Sequence, residues 1–342
     1  MALSGGLVLA GPAAAAKHEF DMTIEDVYIE VADGLKYHTF AFNGQVPGPL
    51  IHVQEGDDIT VNVTNLTALP HTIHWHGILQ KGTWQMDGVP AITQKPIEPG
   101  DSFTYKFVAD PTGTLWYHCH VNVNEHVAIR GMWGPLIVDP KKPTELEKKV
   151  TKDFILMLST YDSKYANKPG FGGHPTEEGD MDYFGLNGRA FPNTQPMRIE
   201  EGDVVRVRLY GAGGGIHEMH THGHSFKVTH KDGYPLPEPY MADTVMVGPG
   251  ERYDLIFEAD NPGRFIFHDH MDTHVTNAGK YPGGIVTIME YDGIPKEDWY
   301  AWKNKDFNPD FFFTESLRKP HGMIGQDGFK GEPVEKKRRG RK

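Results

Sequence analysis

The sequence repeats itself, and the repeat limits what the chain can fold into. Phe42-Asn-Gly-Gln-Val-Pro returns as Leu186-Asn-Gly-Arg-Ala-Phe-Pro. His71-Thr-Ile-His-Trp-His-Gly returns as His217-Glu-Met-His-Thr-His-Gly. Trp116-Tyr-His-Cys-His returns as Ile266-Phe-His-Asp-His, and the offset stays between 144 and 150 residues. Within each copy, apolar and polar residues alternate around Glu-Gly-Asp turns, as in Ile51–Val63 and Met197–Leu209. A period of two with turn residues between short runs is the signature of strands, not helices. The expectation is an all-β chain of two tandem β-sandwich domains, at residues 21–142 and 153–294.

The flanks carry less. Residues 1–20 open with the apolar, Ala-rich run Met1–Ala16, which reads as signal-like or as a tail, and weakly as export. Lys141–Lys152 is charged, contains Pro143 and reads as the linker. Residues 295–342 form an arm with Trp299, Tyr300, Trp302, Phe307 and Phe311–Phe313, which either straps its own domain or packs on a neighbouring subunit. The Asn62 and Asn65 sequons read as ordinary strand residues.

Charge and cysteine content remove whole classes of function. The 342 residues carry 34 basic and 46 acidic side chains. Six of the basic ones lie in Lys336–Lys342, a solvated tail, so the body is more acidic than the net −12. Such a body repels phosphate backbones, so nucleic acid is not an expected partner. No apolar run reaches the ~18 residues of a membrane span. The lone Cys119 rules out an intrachain disulfide framework and a Cys-rich zinc module.

The histidines are the chemical signal. Thirteen of the 19 fall in four windows, 71–76, 118–126, 217–224 and 268–274, where about two would fall by chance. In a strand, residues i and i+2 share a face and i+1 faces away. His74/His76, His118/His120, His220/His222 and His268/His270 are therefore four pairs pointing outward. Eight imidazoles are too many for one ion, and three ions with open positions fit the count. Cys119 points the other way, into its own domain, with His71, His126 and Met132 as candidate co-ligands. A thiolate, two imidazoles and a weak thioether are the blue-copper set. Zinc suits a three-histidine site but has no use for a thioether. In the second copy Asp269 stands where the thiolate would be, although His217 and His274 are kept, so one mononuclear site per chain is expected.

With these motifs the chain resembles the multicopper oxidases over about residues 22–292, and among them the two-domain laccase-like enzymes with the cysteine in the first domain. The resemblance implies two cupredoxin-like Greek-key sandwiches and four copper ions per chain. His71, Cys119, His126 and Met132 would bind type 1 copper. His74 and His220 would bind type 2, and His76, His118, His120, His222, His268 and His270 the type 3 pair. Asp87 matches an acidic residue near the three-copper centre and would deliver protons; its plainer reading is a turn residue before Gly88. The family's chemistry would be one-electron oxidation of phenols, aromatic amines or metal ions, entering at His126, coupled to four-electron reduction of dioxygen to water. Two-domain members form homotrimers with the three-copper centre between subunits, and a periplasmic or secreted location is expected. Two other readings are a copper nitrite reductase, whose active ion needs three histidines, and a non-enzymatic copper or electron carrier, which needs the cysteine site alone.

Overall fold

The computed structural model describes residues 15–167, 181–295, 322–324 and 331–333. Strands dominate it, and they form four sheets, two in each copy of the repeat. The strand Asp58–Asn65 shows why: Ile59, Val61, Val63 and Asn65 are buried while the residues between them face outward. In the first copy one sheet runs in the order Leu35–Phe42, Lys17–Ala32, Asp58–Asn65, Ser102–Val108. The other runs Leu50–Gln54, Trp133–Asp139, Gly113–His118, His74–His76. Phe20, Met22 and Ile24 from one sheet and Ile51, Val53 and Leu136 from the other share one core, which makes a sandwich.

The second copy uses the same pairings. Lys152–Tyr161 lies parallel to Val204–Gly211, as Lys17–Ala32 lies parallel to Asp58–Asn65. Met197–Ile199 lies parallel to Val286–Tyr291, as Leu50–Gln54 lies parallel to Trp133–Asp139. The second copy adds the strands Phe226–Lys231, Tyr234–Ala242 and Thr244–Val247. Sequence repeat and strand repeat thus coincide.

Two boundaries differ from the sequence reading. The first strand begins at Lys17, inside the segment set aside as 1–20, because Phe20 already turns into the core. The linker is shorter than 141–152: a 3₁₀ turn forms at Glu147–Lys149 and a strand begins at Lys152. Residues 1–14, and with them most of the signal-like run, lie outside the described residues, as do the aromatics of the arm. Two pieces of the arm are described, and both pair with the first domain. Gly322–Ile324 pairs with Leu50–His52, and Glu332–Pro333 pairs with Val27–Tyr28.

The domains are fused by a shared core and a buried charge network. Trp116, Trp133 and Tyr37 of the first domain pack with Ile155, Met157, Tyr161 and Tyr210 of the second. Each such side chain contributes about 1.5–3 kcal/mol by leaving water. Beside them, Arg208 donates through Nε to Asp153 Oδ1 at 2.9 Å and through Nη1 to Thr114 Oγ1 at 2.6 Å. Thr114, on the strand that leads to His118, in turn donates to Asp254 Oδ1. Burial alone would raise the Asp153 carboxyl, but the Arg206 and Arg208 guanidiniums outweigh it and hold the group below its ordinary range.

Candidate metal centres

The strand Gly113–His118 and the turn after it deliver both chemistries. Trp75 and Cys119 are fully buried in the first domain's core, whereas His74, His76 and His120 are partly exposed on the opposite face. The alternation expected from sequence is therefore present. Cys119 Sγ lies 3.6 Å from His71 Nδ1 and 3.4 Å from His126 Nδ1. Ligands about 2.0–2.3 Å from one ion in a trigonal plane stand roughly 3.5 Å apart, so the three atoms fit a metal.

Local structure fixes each of them. His71 Nε2 pairs with Thr67 Oγ1 at 2.9 Å, which leaves Nδ1 aimed at the sulfur. His126 closes the helical turn Val123–His126. Cys119 N donates to the Met132 carbonyl and Met132 N to the His126 carbonyl, so the loop folds back on itself. Met132 is fully buried in the same core as Cys119. Phe40 lies 5.0 Å from both imidazole rings and packs them in place.

Electrostatics agree with a cation site. Burial pushes the Cys119 thiol up to about 11, so without a cation it stays protonated. Burial, helped by Arg130, lowers His126 to about 4, and burial also holds His71 well below its ordinary range. Neutral imidazoles are what a metal requires.

The outward pairs form two clusters. His74 sits directly opposite His118 on paired strands, and His220 opposite His268. His74 Nδ1 donates to the Asp87 carbonyl at 2.7 Å and His118 Nδ1 to the Cys119 carbonyl at 2.8 Å. In the second domain His220 Nδ1 donates to the Asp243 carbonyl at 2.9 Å and His268 Nδ1 to the Asp269 carbonyl at 2.8 Å. A carbonyl only accepts, so these four rings carry their proton on Nδ1 and present the Nε2 lone pair. His76 Nδ1 then faces His118 Nε2 at 3.3 Å, and His222 Nε2 faces His268 Nε2 at 3.1 Å. Nitrogens bound about 2.0–2.1 Å from one ion at a near-tetrahedral angle are separated by about that distance.

His120 and His270 complete the clusters at 5.5 Å from the His74 ring and 5.4 Å from the His220 ring. Among the described residues, the ring contacts between outward imidazoles stay within one cluster and none joins the two. Each domain holds four imidazoles.

Asp87 stands both in a turn and beside the outer cluster. It ends the turn Trp84–Met86 before Gly88, where a Cβ would come within 1.9 Å of the Ile73 carbonyl oxygen. Glycine there lets the loop lie against the His74 strand, and Asp87 Oδ1 reaches 3.5 Å from His74 Nδ1. Three residues escaped the sequence reading. Asp243 repeats the role of Asp87, with its carbonyl on His220 and its carboxylate 3.9 Å away. It follows Asp87 by 156 residues, outside the repeat offset, because extra strands precede it. Thr67 was visible only through structure. Arg252 is buried across the domain junction, donates to the Thr114 carbonyl and, after burial itself, is the main cause that drives His76 down to about 3.

Beside the second cluster lies a cleft of about 790 Å³, lined by His220, His222, His224, Met241 and Asp243 among others. His224 Nε2 is held by Tyr291 Oη at 2.7 Å. No helix among the described residues is long and apolar enough to cross a membrane.

Known proteins resemble this chain in sequence and fold. Residues 23–143 and 164–279 each match a family model described as multicopper oxidase. A solved multicopper oxidase, mgLAC, is 67% identical with a TM-score of 0.90, covering 93% of this chain and all of the other. A blue copper oxidase from Nitrosomonas europaea is 60% identical with a TM-score of 0.89, over the same shares. Laccase-2 of Botryotinia fuckeliana is 34% identical over 73% of this chain, which spans only 44% of that protein's length. Both halves of the sequence, the sandwich pair and the two kinds of histidine centre place the chain in one family: it belongs to the multicopper oxidases.

Proposed function

We propose that the chain is a laccase-like enzyme that removes single electrons from small reducing substrates and passes four of them to dioxygen, giving water. One observation carries the reading. Cys119 faces a buried pocket with His71 and His126, while its covalent neighbours His118 and His120 face the outer cluster. Bound copper would supply one-electron storage at the inner set and multi-electron reduction of dioxygen at the outer one.

The chain's own groups do the rest. His126 is the entry residue; it is only 2% exposed, so a donor meets the layer over it and not an open ring edge. The path from Cys119 to His118 runs through one peptide unit and is further joined by the His118 Nδ1 bond to the Cys119 carbonyl. Asp87, partly exposed beside His74, holds a proton at the edge of the outer cluster and hands it inward. Burial keeps His76 and His118 unprotonated and able to ligate.

The two outer clusters are separate within one chain, so we infer a homotrimer. Domain 1 of one copy meets domain 2 of the next, and three such steps close a ring. Exposed Leu79, Trp84 and Ile92 in the first domain, and Tyr240, Met241 and Met246 in the second, supply apolar surface for that contact. The count is four coppers per chain, one type 1, one type 2 and two type 3. The signal-like composition of the first residues supports a periplasmic or secreted site of action.

Metal analysis with absorption spectra and an oxygen electrode tests all this. About four copper ions per chain, a blue band, a near-ultraviolet band and oxygen uptake with phenols, aromatic amines, cuprous or ferrous salts are expected. A colourless protein, or one ion per chain, overturns the reading. About two coppers with nitrite reduction would make it a nitrite reductase, although eight imidazoles exceed what that chemistry needs.

A further inference from the structure

Asp269 replaces the thiolate in the second domain, and what the structure builds around it is not a decayed remnant. Asp269, His217 and His274 are as buried as Cys119, His71 and His126. Asp269 Oδ2 accepts from His217 Nδ1 at 2.7 Å and from His274 Nδ1 at 2.8 Å. Its other oxygen, Oδ1, accepts from the backbone N–H of Glu218 at 3.1 Å and of Met271 at 3.0 Å. One carboxylate thus receives four donors. Two imidazoles on a single oxygen at 2.7–2.8 Å are at hydrogen-bond spacing; nitrogen and oxygen on a shared ion would stand about 3.2 Å apart. In the first domain the corresponding nitrogens stand 3.6 and 3.4 Å from a sulfur, a spacing compatible with a shared ion.

The position of this carboxylate gives it a task. Asp269 lies between His268 and His270 in sequence, and its carbonyl receives His268 Nδ1. Glu218, whose N–H it binds, lies two residues before His220 and accepts the His270 N–H at 2.7 Å through its carbonyl. The four donors therefore tie together the two strands that carry three outward imidazoles, His220, His268 and His270. We propose that Asp269, with His217 and His274, is a metal-free, anion-centred lock that positions the second domain's imidazoles for the shared copper centre. It would do by hydrogen bonds what an ion bound at Cys119 does for the strand ends of the first domain. The inference rests on the reading of the outer clusters as one copper centre.

The test uses purified holoprotein carrying Asp269→Asn, which keeps the shape and removes the charge that holds both imidazole donors. The blue band belongs to the first domain and serves as an internal reference. The expected result is an unchanged blue band, a near-ultraviolet band reduced at least about twofold relative to it, and loss of the outer copper to a chelator at about tenfold lower concentration. The type 2 electron paramagnetic resonance signal should shift as well. Should Asp269→Asn fail to fold, His274→Phe keeps a ring against Phe184, removes one donor, keeps the carboxylate and should give the same changes in smaller measure. A wild-type band ratio, resonance and chelator sensitivity in the variants overturn the positioning role. An additional metal ion in the wild type, lost in Asp269→Asn, overturns it differently by making the lock a metal site. A wild type without either band would instead sink the functional reading itself, so the two failures are distinguishable.

Discussion

The two domains share a strand plan and a histidine plan, yet they finish their outer clusters differently. In the first domain none of the four outward histidines is exposed, and His118 is buried. In the second, His222 and His270 are exposed beside an open cleft. The cause lies within the chain. The second domain's Gly250–Arg252 segment seats against the first domain's cluster: a Cβ on Gly250 would stand 3.3 Å from His76 Cε1. Arg252 Nη2 would lie 3.0 Å from a Cβ on Gly77. Among the described residues, the second cluster has no such cover from the first domain. The two halves are thus alike in plan, and the domain junction partly covers one of them while leaving His74, His76 and His120 partly exposed. The second half is the more open of the two.

The inner sites differ more sharply, and the largest predicted effect follows. Cys119→Ser should abolish the blue band and lower oxygen uptake to background while most outer copper stays bound. Copper analysis beside the visible spectrum checks it, and a surviving blue band would refute the assignment of the first domain's inner site. The outer halves should fail in the opposite way. His222→Ala, on the exposed half, should remove oxygen reduction and the near-ultraviolet band but spare the blue one. Undiminished oxygen uptake would mean that the second domain's imidazoles are not part of the centre.

The junction that partly covers the first half can be weakened without touching a ligand. Asp153→Asn leaves the buried Arg208 and the partly buried Arg206 with one fewer negative partner and should cost about 3–5 kcal/mol of stability. The pH dependence has a definite sign. The folded carboxyl is held low, so its contribution is complete above the unfolded carboxylate value of about 3.9 and is lost as pH falls through the lower folded value. Thermal melts against pH should show that acid-side loss in the wild type and a smaller one in Asp153→Asn.

How much of this was legible in the sequence depends on the range of the interaction. Alternation is local, so the opposite orientation of Trp75 and Cys119 from the paired histidines could be read residue by residue. The repeat carried the domain plan and the substitution at Asp269. Non-local partners left no periodic trace. Asp153, Arg206 and Arg208 look like ordinary strand charges until two strands pair in parallel at the junction. Asp243 was hidden because inserted strands shifted it out of the repeat offset, and its contact runs through a backbone carbonyl, which every residue has. The pairing of Gly322–Ile324 with the first domain likewise depends on chain return and not on composition.

Asp87 and Asp243 give the comparison its functional edge. Both place a carbonyl on the first histidine of an outward pair, but Asp87 Oδ1 is closer to that ring, at 3.5 Å against 3.9 Å, and less exposed. Asp87→Asn keeps the backbone contact and removes the carboxyl proposed to carry protons. Turnover should fall about 10²-fold, the lower end for general acid catalysis, with copper content unchanged. Asp243→Asn should slow turnover less. Equal effects would erase the distinction between the two sides, and wild-type turnover in Asp87→Asn would end its proton role.

The smallest effect concerns the cover for the open half. Met246 is exposed on the strand paired with His217–His220 and shares a face with Thr244, the residue opposite His220. If domain 1 of another copy seats there, Met246→Glu buries a charge in the contact and weakens association without altering any ligand. Sedimentation should show a shift toward smaller species at low protein concentration. Specific activity should drop severalfold in step and recover as concentration rises, because mass action restores the contact. Activity that is independent of concentration, in a variant that sediments as the wild type does, would show that this face is not the one that closes the second cluster.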